Sequence, residues 1–330
     1  MGQLEPEVRL SLRRLATIES VGSSTRIEGA RLSDEEVAGL LGDLQAESFR
    51  SRDEQEVAGY AYVMETVQTA WQNLNFTEGI VLQIHRDLLR YSAKDERHRS
   101  GWKTLPNHVA AFDGDGKEIG IVFETASPFD TPKLMEDLLA WYTKEEANPV
   151  LHPLLRIAVF NVMFLAIHPF QDGNGRLSRV LTNLQLLRAG YEHVSYSSLE
   201  SVIEHHKEAY YLALRRTQTT LGNQPVDWEP WLTFFFSAMR SQIDRLRERL
   251  EKKPAPVVAD HALPVGLSPL AGRLLGVLYA RRTLSVAEAA AALDANRNTL
   301  KTKFAELVEA GLAELHGKGR GAHYRPAPRD

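Results

Sequence analysis

From residue 4 to about 250 the apolar positions recur mainly at helical spacing. Leu12, Leu15 and Ile18 form one such stripe, and Val57, Tyr60, Met64 and Val67 form another. Ser33 with Glu36 makes a capping-box pattern ahead of Val37, Leu40, Leu41 and Leu44, and Ile84, Leu88 and Leu89 mark a further helix. From Leu154 to Ile167 the chain is apolar except for Arg156 and Asn161, and a periodic run through Val180, Leu181, Leu184 and Leu187 follows. The polar residues 168–179 between them therefore form the turn of a helix–turn–helix unit. One stretch alternates instead: Val109–Phe112 and Ile119–Phe123 flank Asp113-Gly-Asp-Gly116. Asp-Gly between β-prone runs predicts a hairpin, because glycine supplies the positive φ of the turn. Its outer edges have no predicted sheet to join, which makes them a docking strip or a liability.

Around 252–264 the periodicity stops and proline rises, as in a linker. Three helical patterns follow, at 270–280, 286–293 and 299–310, then two short runs at 312–315 and 322–325 around a basic, glycine-rich segment. Three helices and two strands joined by a basic wing predict a winged helix-turn-helix. The expected division is 1–95 as an N-terminal helical region, 96–250 as a core with trailing helices, 251–266 as a linker and 267–330 as the winged domain.

Composition adds limits. The 330 residues are 43% hydrophobic and 25% charged, enough for a substantial core. No long uncharged apolar run and no secretory leader pattern are present, so a soluble, cytoplasmic protein without membrane contact is expected. With no cysteine, disulfides, thiol catalysis and cysteine-ligated zinc are excluded. The net charge of −4 is uneven: residues 262–330 carry ten Lys/Arg against six acids, a basic module on an acidic body.

The chemistry concentrates in His168-Pro-Phe-Gln-Asp-Gly-Asn-Gly-Arg-Leu-Ser-Arg179. Gly173, Asn174 and Gly175 open a helix, where unpaired N–H groups and the helix dipole favour an anion and glycine lets a phosphate approach. Asn174 either caps that helix or donates its amide to a phosphate oxygen. Arg176 and Arg179 project from the same helix and suit a polyphosphate. Asp172 beside them makes sense with a cation between, and Mg²⁺ takes one or two carboxylates alongside phosphate oxygens. His168 can accept a proton from an incoming hydroxyl.

These residues match His-x-Phe-x-(Asp/Glu)-Gly-Asn-Gly-Arg-x-x-Arg at every defined position, and the chain over about 80–215 resembles the Fic family. The resemblance implies a mainly α fold, a Fic helical core with the hairpin as a flap. It also implies a protein adenylyltransferase that moves AMP from Mg-ATP to a Ser, Thr or Tyr hydroxyl of a protein target, itself included. His168 would be the general base and Asp172 the Mg²⁺ ligand. Gly173, Asn174 and Gly175 would form the anion hole, Arg176 would hold the phosphates and Arg179 the γ-phosphate. The flap edge, through Val109, Ala110, Ala111, Phe112, Ile121 and Val122, would pair with the target's main chain. Lys103, in Gly101-Trp-Lys-Thr104, stands where an arginine is expected in many relatives, a departure that bears on target docking.

Ser24-Thr-Arg-Ile-Glu28-Gly29 resembles the inhibitory motif of many Fic proteins, (Ser/Thr)-x-x-x-Glu-(Gly/Asn). The implied mechanism pairs Glu28 with Arg179 and denies that arginine to the γ-phosphate. The same glutamate could orient a water, so AMP removal from a modified target is an alternative. A second alternative is a DNA-binding regulator, with Arg297, Lys301, Lys303, Lys318 and Arg320 contacting DNA, against a protein-docking role for the same module. A homo-oligomer is left open.

Overall fold

The computed structural model describes residues 6–42, 49, 51–92, 94–112, 118–251, 269–281, 283–293, 295–317 and 322–327. Its elements run α1 (Pro6–Ile27), α2 (Asp34–Gly42), α3 (Arg52–Ala70), α4 (Glu78–Leu88), β1 (Val109–Phe112), β2 (Glu118–Phe123), α5 (Thr131–Ala147), α6 (Pro153–Ile167) and α7 (Asn174–Arg188). There follow α8 (Leu199–His205), α9 (Lys207–Gln218), α10 (Glu229–Glu251), α11 (Pro269–Arg281), α12 (Val286–Leu293), α13 (Arg297–Glu309), β3 (Ala313–His316) and β4 (His323–Pro326). The chain divides into two compact units, Leu15–Arg247 and the remainder, Met1–Arg14 with Glu248–Asp330. Among the described residues no helix is long and apolar enough to cross a membrane.

In the larger unit α6 and α7 pack together at the centre of one continuous core. The sequence of α6 dictates its place, since a helix apolar on every side must be covered on every side. Ile157, Phe160, Phe164 and Ile167 are all buried. The same burial of α7 is not obvious from its composition, because Ser178, Thr182, Asn183 and Gln185 are buried with its leucines. Internal bonding makes most of this tolerable: Ser178 donates to the Gly175 carbonyl (2.8 Å), Thr182 to that of Ser178 (2.8 Å), and Asn161 Nδ2 to Thr182 Oγ1 (3.0 Å).

The expected capping box exists, with the Ser33 N–H donating to Glu36 (2.8 Å) and the Glu36 N–H to Ser33 Oγ (3.3 Å). The hairpin also stands where the alternation put it. β1 and β2 run antiparallel from Val109↔Phe123 to Phe112↔Glu118, with register shifts after Val109 and Ala111. Its turn, 113–117, lies outside the described residues.

In the smaller unit α11, α12 and α13 enclose Leu274, Leu278, Leu284, Leu300, Phe304 and Leu307. β3 pairs with β4 antiparallel, Leu284 bridges to Tyr324, and the Tyr324 ring stacks on Phe304 at 3.8 Å. Residues 252–268 and the wing lysine and arginine, Lys318 and Arg320, fall outside the described residues.

Candidate active site

The helix α6 stops at Ile167 because His168 turns into the left-handed region, φ 53°, while its N–H still closes the last turn on Phe164 O (2.8 Å). A non-glycine residue there costs on the order of 1–3 kcal/mol and persists only where its surroundings fix it. Gly173 takes φ 83° just ahead of α7, a value that glycine adopts without strain. Between these two reversals, Phe170 is fully buried with its ring stacked on His85 at 3.7 Å. Asn174 receives the Phe170 N–H on Oδ1 (2.9 Å) and returns Nδ2 to the Phe170 carbonyl (2.6 Å). Of the two roles open to Asn174, its side chain is engaged in closing the turn, which leaves the main-chain N–H groups of the first turn of α7 to face an anion.

Burial holds the His168 imidazole well below its ordinary range, at about 4, with the nearby Lys103 charge acting in the same direction. The ring is therefore neutral at physiological pH. Its Nδ1 lies 3.3 Å from the Leu165 carbonyl, an acceptor, so Nδ1 carries the proton and Nε2 has the free lone pair.

Asp172 sits in a closed circuit of alternating charge. Its Oδ2 is 3.3 Å from Arg52 Nη2 and its Oδ1 is 3.3 Å from Arg176 Nη2, while Glu56 pairs with both arginines, at 2.7 Å from Arg52 Nε and 3.2 Å from Arg176 Nη1. Desolvation pushes the Asp172 carboxyl upward, but Arg176, the Gly173 N–H and Arg52 outweigh it and keep the group below the usual carboxylate range. Arg52 and Glu56 escape sequence reasoning because four-apart Arg and Glu read as an ordinary surface pair.

Arg179 is buried, and most of its donors are taken. Nε donates to Ser24 Oγ (2.8 Å), and Nη2 donates to Ser24 O (2.9 Å) and to Glu28 Oε1 (2.8 Å). Desolvation opposes the charge of this guanidinium, and Glu28 with the surrounding tyrosine oxygens raises its pKa overall. Nη1 is buried without a hydrogen-bond partner, as is Nε of Arg176, so each arginine retains a donor. Glu28 lies so close over the helix start that a Cβ added at Gly175 would collide with its carboxylate.

Ser24, Glu28, His168, Asp172, Gly173, Asn174, Gly175, Arg176 and Arg179 are thus one constellation. Two further residues belong beside it. His85, buried on α4, accepts the Ser100 N–H at Nδ1 (3.3 Å), so its Nε2 is protonated and donates to the Asp172 carbonyl (3.1 Å). Lys103 is 3% exposed and lies beneath the turn, so it is not part of a docking surface. The main chains of Val109, Ala110, Ala111, Phe112, Ile121 and Val122 lie in the two strands of the hairpin. In the smaller unit Arg297 and Lys301 are exposed on α13, and Lys303 is paired with Glu306 at 2.6 Å. Among the described residues no three His, Asp or Glu side chains converge as a metal cage.

Residues 75–186 match the Fic/DOC family. The chain carries a Fic domain. The protein adenylyltransferase Fic of Aedes aegypti is 26% identical over 271 residues, covering 79% of this chain and 49% of that protein. That of Drosophila grimshawi is 30% identical over 190 residues, 56% of this chain and 36% of that protein. The chain thus spans about half or less of the length of these curated relatives. A solved Fic family protein from Desulfovibrio desulfuricans superposes over 100% of this chain and 90% of its own, with TM-score 0.58 and 25% identity. A Fic-domain signaling protein from Bacteroides thetaiotaomicron shares the fold, with TM-score 0.60 and 24% identity over 76% of this chain.

Proposed function

We propose that the chain is a protein adenylyltransferase whose resting form is held off by Glu28. The observation that carries this reading is Arg179, a buried guanidinium one turn from the anion-binding helix start, bound to Ser24 and Glu28. His168, neutral and with Nε2 free, takes the proton of a target hydroxyl as the oxygen attacks the α-phosphorus of ATP, and pyrophosphate leaves. The main-chain N–H groups of 174 and 175, that of Gly173 once it leaves Asp172 Oδ1, and the arginines at 176 and 179 neutralise the phosphate oxygens and orient them in line. Residues 96–250 would form the catalytic core, with 251–266 a linker and 267–330 a winged helix.

The donor set suits Mg²⁺, because Asp172 is held ionised, is 35% exposed at its side chain and needs only phosphate oxygens and water to complete a shell. Bound there, the ion would supply charge neutralisation on the phosphates. Arg52 and Arg176 compensate the same carboxylate when it has no cation. The flap would recruit the target by strand addition along the edge of β1 or β2.

The deciding experiment is intact-mass analysis after incubation with Mg-ATP. Glu28→Gly protein should gain the mass of AMP, wild type far less, and Glu28→Gly with His168→Ala none. Equal incorporation by wild type and Glu28→Gly would sink the brake, and no incorporation by either would sink the transferase.

A second reading concerns the smaller unit alone. Exposed Arg297 and Lys301 on the first turns of α13 support DNA contact through that helix, beside or instead of a protein-docking role.

A further inference from the structure

Four successive carbonyls, at residues 167 to 170, each accept a hydrogen bond from Lys103 or Asn107, and the last also accepts from Asn174. Lys103 Nζ donates to Ile167 O (2.9 Å), Asn107 Nδ2 to His168 O (3.3 Å), the Lys103 main-chain N–H to Pro169 O (2.8 Å), and Asn107 Nδ2 again to Phe170 O. The two side chains also bind each other, Lys103 Nζ to Asn107 Oδ1 at 2.8 Å, and Thr125 Oγ1 lies 3.0 Å from the same ammonium.

This is an unusual setting for a lysine. The ammonium is buried, its hydrogen bonds go only to neutral oxygens, and burial lowers it to about 8, which still leaves it protonated at neutral pH. What favours a cation there is the end of α6, whose last carbonyls have no intrahelical donors and carry the negative pole of the helix. His168 occupies that end in a conformation which L side chains rarely adopt.

We propose that Lys103 and Asn107 are positioning residues that hold the His168 main chain in its left-handed turn, and so aim the imidazole. The inference rests on the adenylyltransferase reading for its kinetic consequence, but not for its structural one. Residues 103–107 lead into β1 and Thr125 follows β2, so both ends of the flap are rooted in the clamp that fixes the base.

The test uses the full chain carrying Glu28→Gly. Adding Lys103→Met should lower kcat for AMP incorporation by about tenfold or more, with KM for ATP within about twofold, because misaiming a base by about 1 Å affects the transition state and not nucleotide binding. Lys103→Arg, which keeps donors and charge, should recover most of the loss. Asn107→Ala should give the same split, and it carries the test if Lys103→Met does not fold. Amide exchange over 165–172 provides a readout without turnover and should speed up in both loss variants. Unchanged kcat with unchanged exchange, or a KM rise that accounts for the whole loss, would overturn the proposal. A Glu28→Gly parent that incorporates no AMP would instead count against the reaction, and exchange alone would then decide the clamp.

Discussion

Two imidazoles stand at the motif, and burial lowers the pKa of both His85 and His168 to about 4. The unfolded chain binds a proton on each as pH falls below about 6.5, whereas the folded chain does so only near 4. Their stability contribution is therefore complete above about pH 6.5 and drains away between 6.5 and 4, by up to about 1.4 kcal/mol per pH unit for each histidine. His85→Phe should lower stability at pH 7 by losing its bonds to Ser100 and Asp172, yet flatten the further decline between pH 7 and 5. Denaturant melts at the two pH values check this, and an unchanged decline would show that His85 is not buried neutral.

At this same scale the motif was readable, since each of its types has a distinctive chemistry and they crowd into twelve positions. Lys103 was visible only as a departure. Its role depends on which carbonyls surround it, and no spacing in the chain encodes that. Asn107, Arg52 and Glu56 carried no signal for the same reason.

At the scale of elements, α1 bears Ser24 and leads directly to Glu28, and α8 is what grips it. Arg26 binds Glu204 through Nε (2.6 Å) and Nη2 (3.0 Å), while Ser20 Oγ donates to Glu200 (2.9 Å). The buried Glu200 carboxylate also accepts from Tyr60 (3.0 Å), Asn183 (2.6 Å) and Ser198 (3.2 Å). Arg26→Ala should therefore free the end of α1 and raise AMP incorporation above wild type but below Glu28→Gly, since the Glu28 pair itself survives. Incorporation equal to wild type would mean that α8 has no hold on the brake. Glu200→Ala leaves four donors without their acceptor and should destabilise the fold by about 3 kcal/mol or more in a denaturant melt. Helical periodicity announced most of these elements, and the hairpin declared itself through alternation around Asp113-Gly114. It said nothing of α8, whose seven residues are too few for a period to show, nor of the polar burial along α7.

For the whole molecule, the uneven charge of the sequence falls on two compact units. If α13 meets DNA, the full chain should retard duplex DNA at low salt, lose the shift as salt rises, and weaken in Arg297→Ala and Lys301→Ala. Lys303→Ala should matter less, because that ammonium is already paired with Glu306. Retention that is indifferent to salt, or to both substitutions, would point to protein docking.

The pairing of Glu28 with Arg179 joins residues 151 apart, and the carboxylate comes first in the chain. A ribosome releases Glu28 long before α7, at about 5–20 residues per second. The arginine thus emerges with its partner already made, and under the proposed restraint only α8, which grips α1, has still to follow.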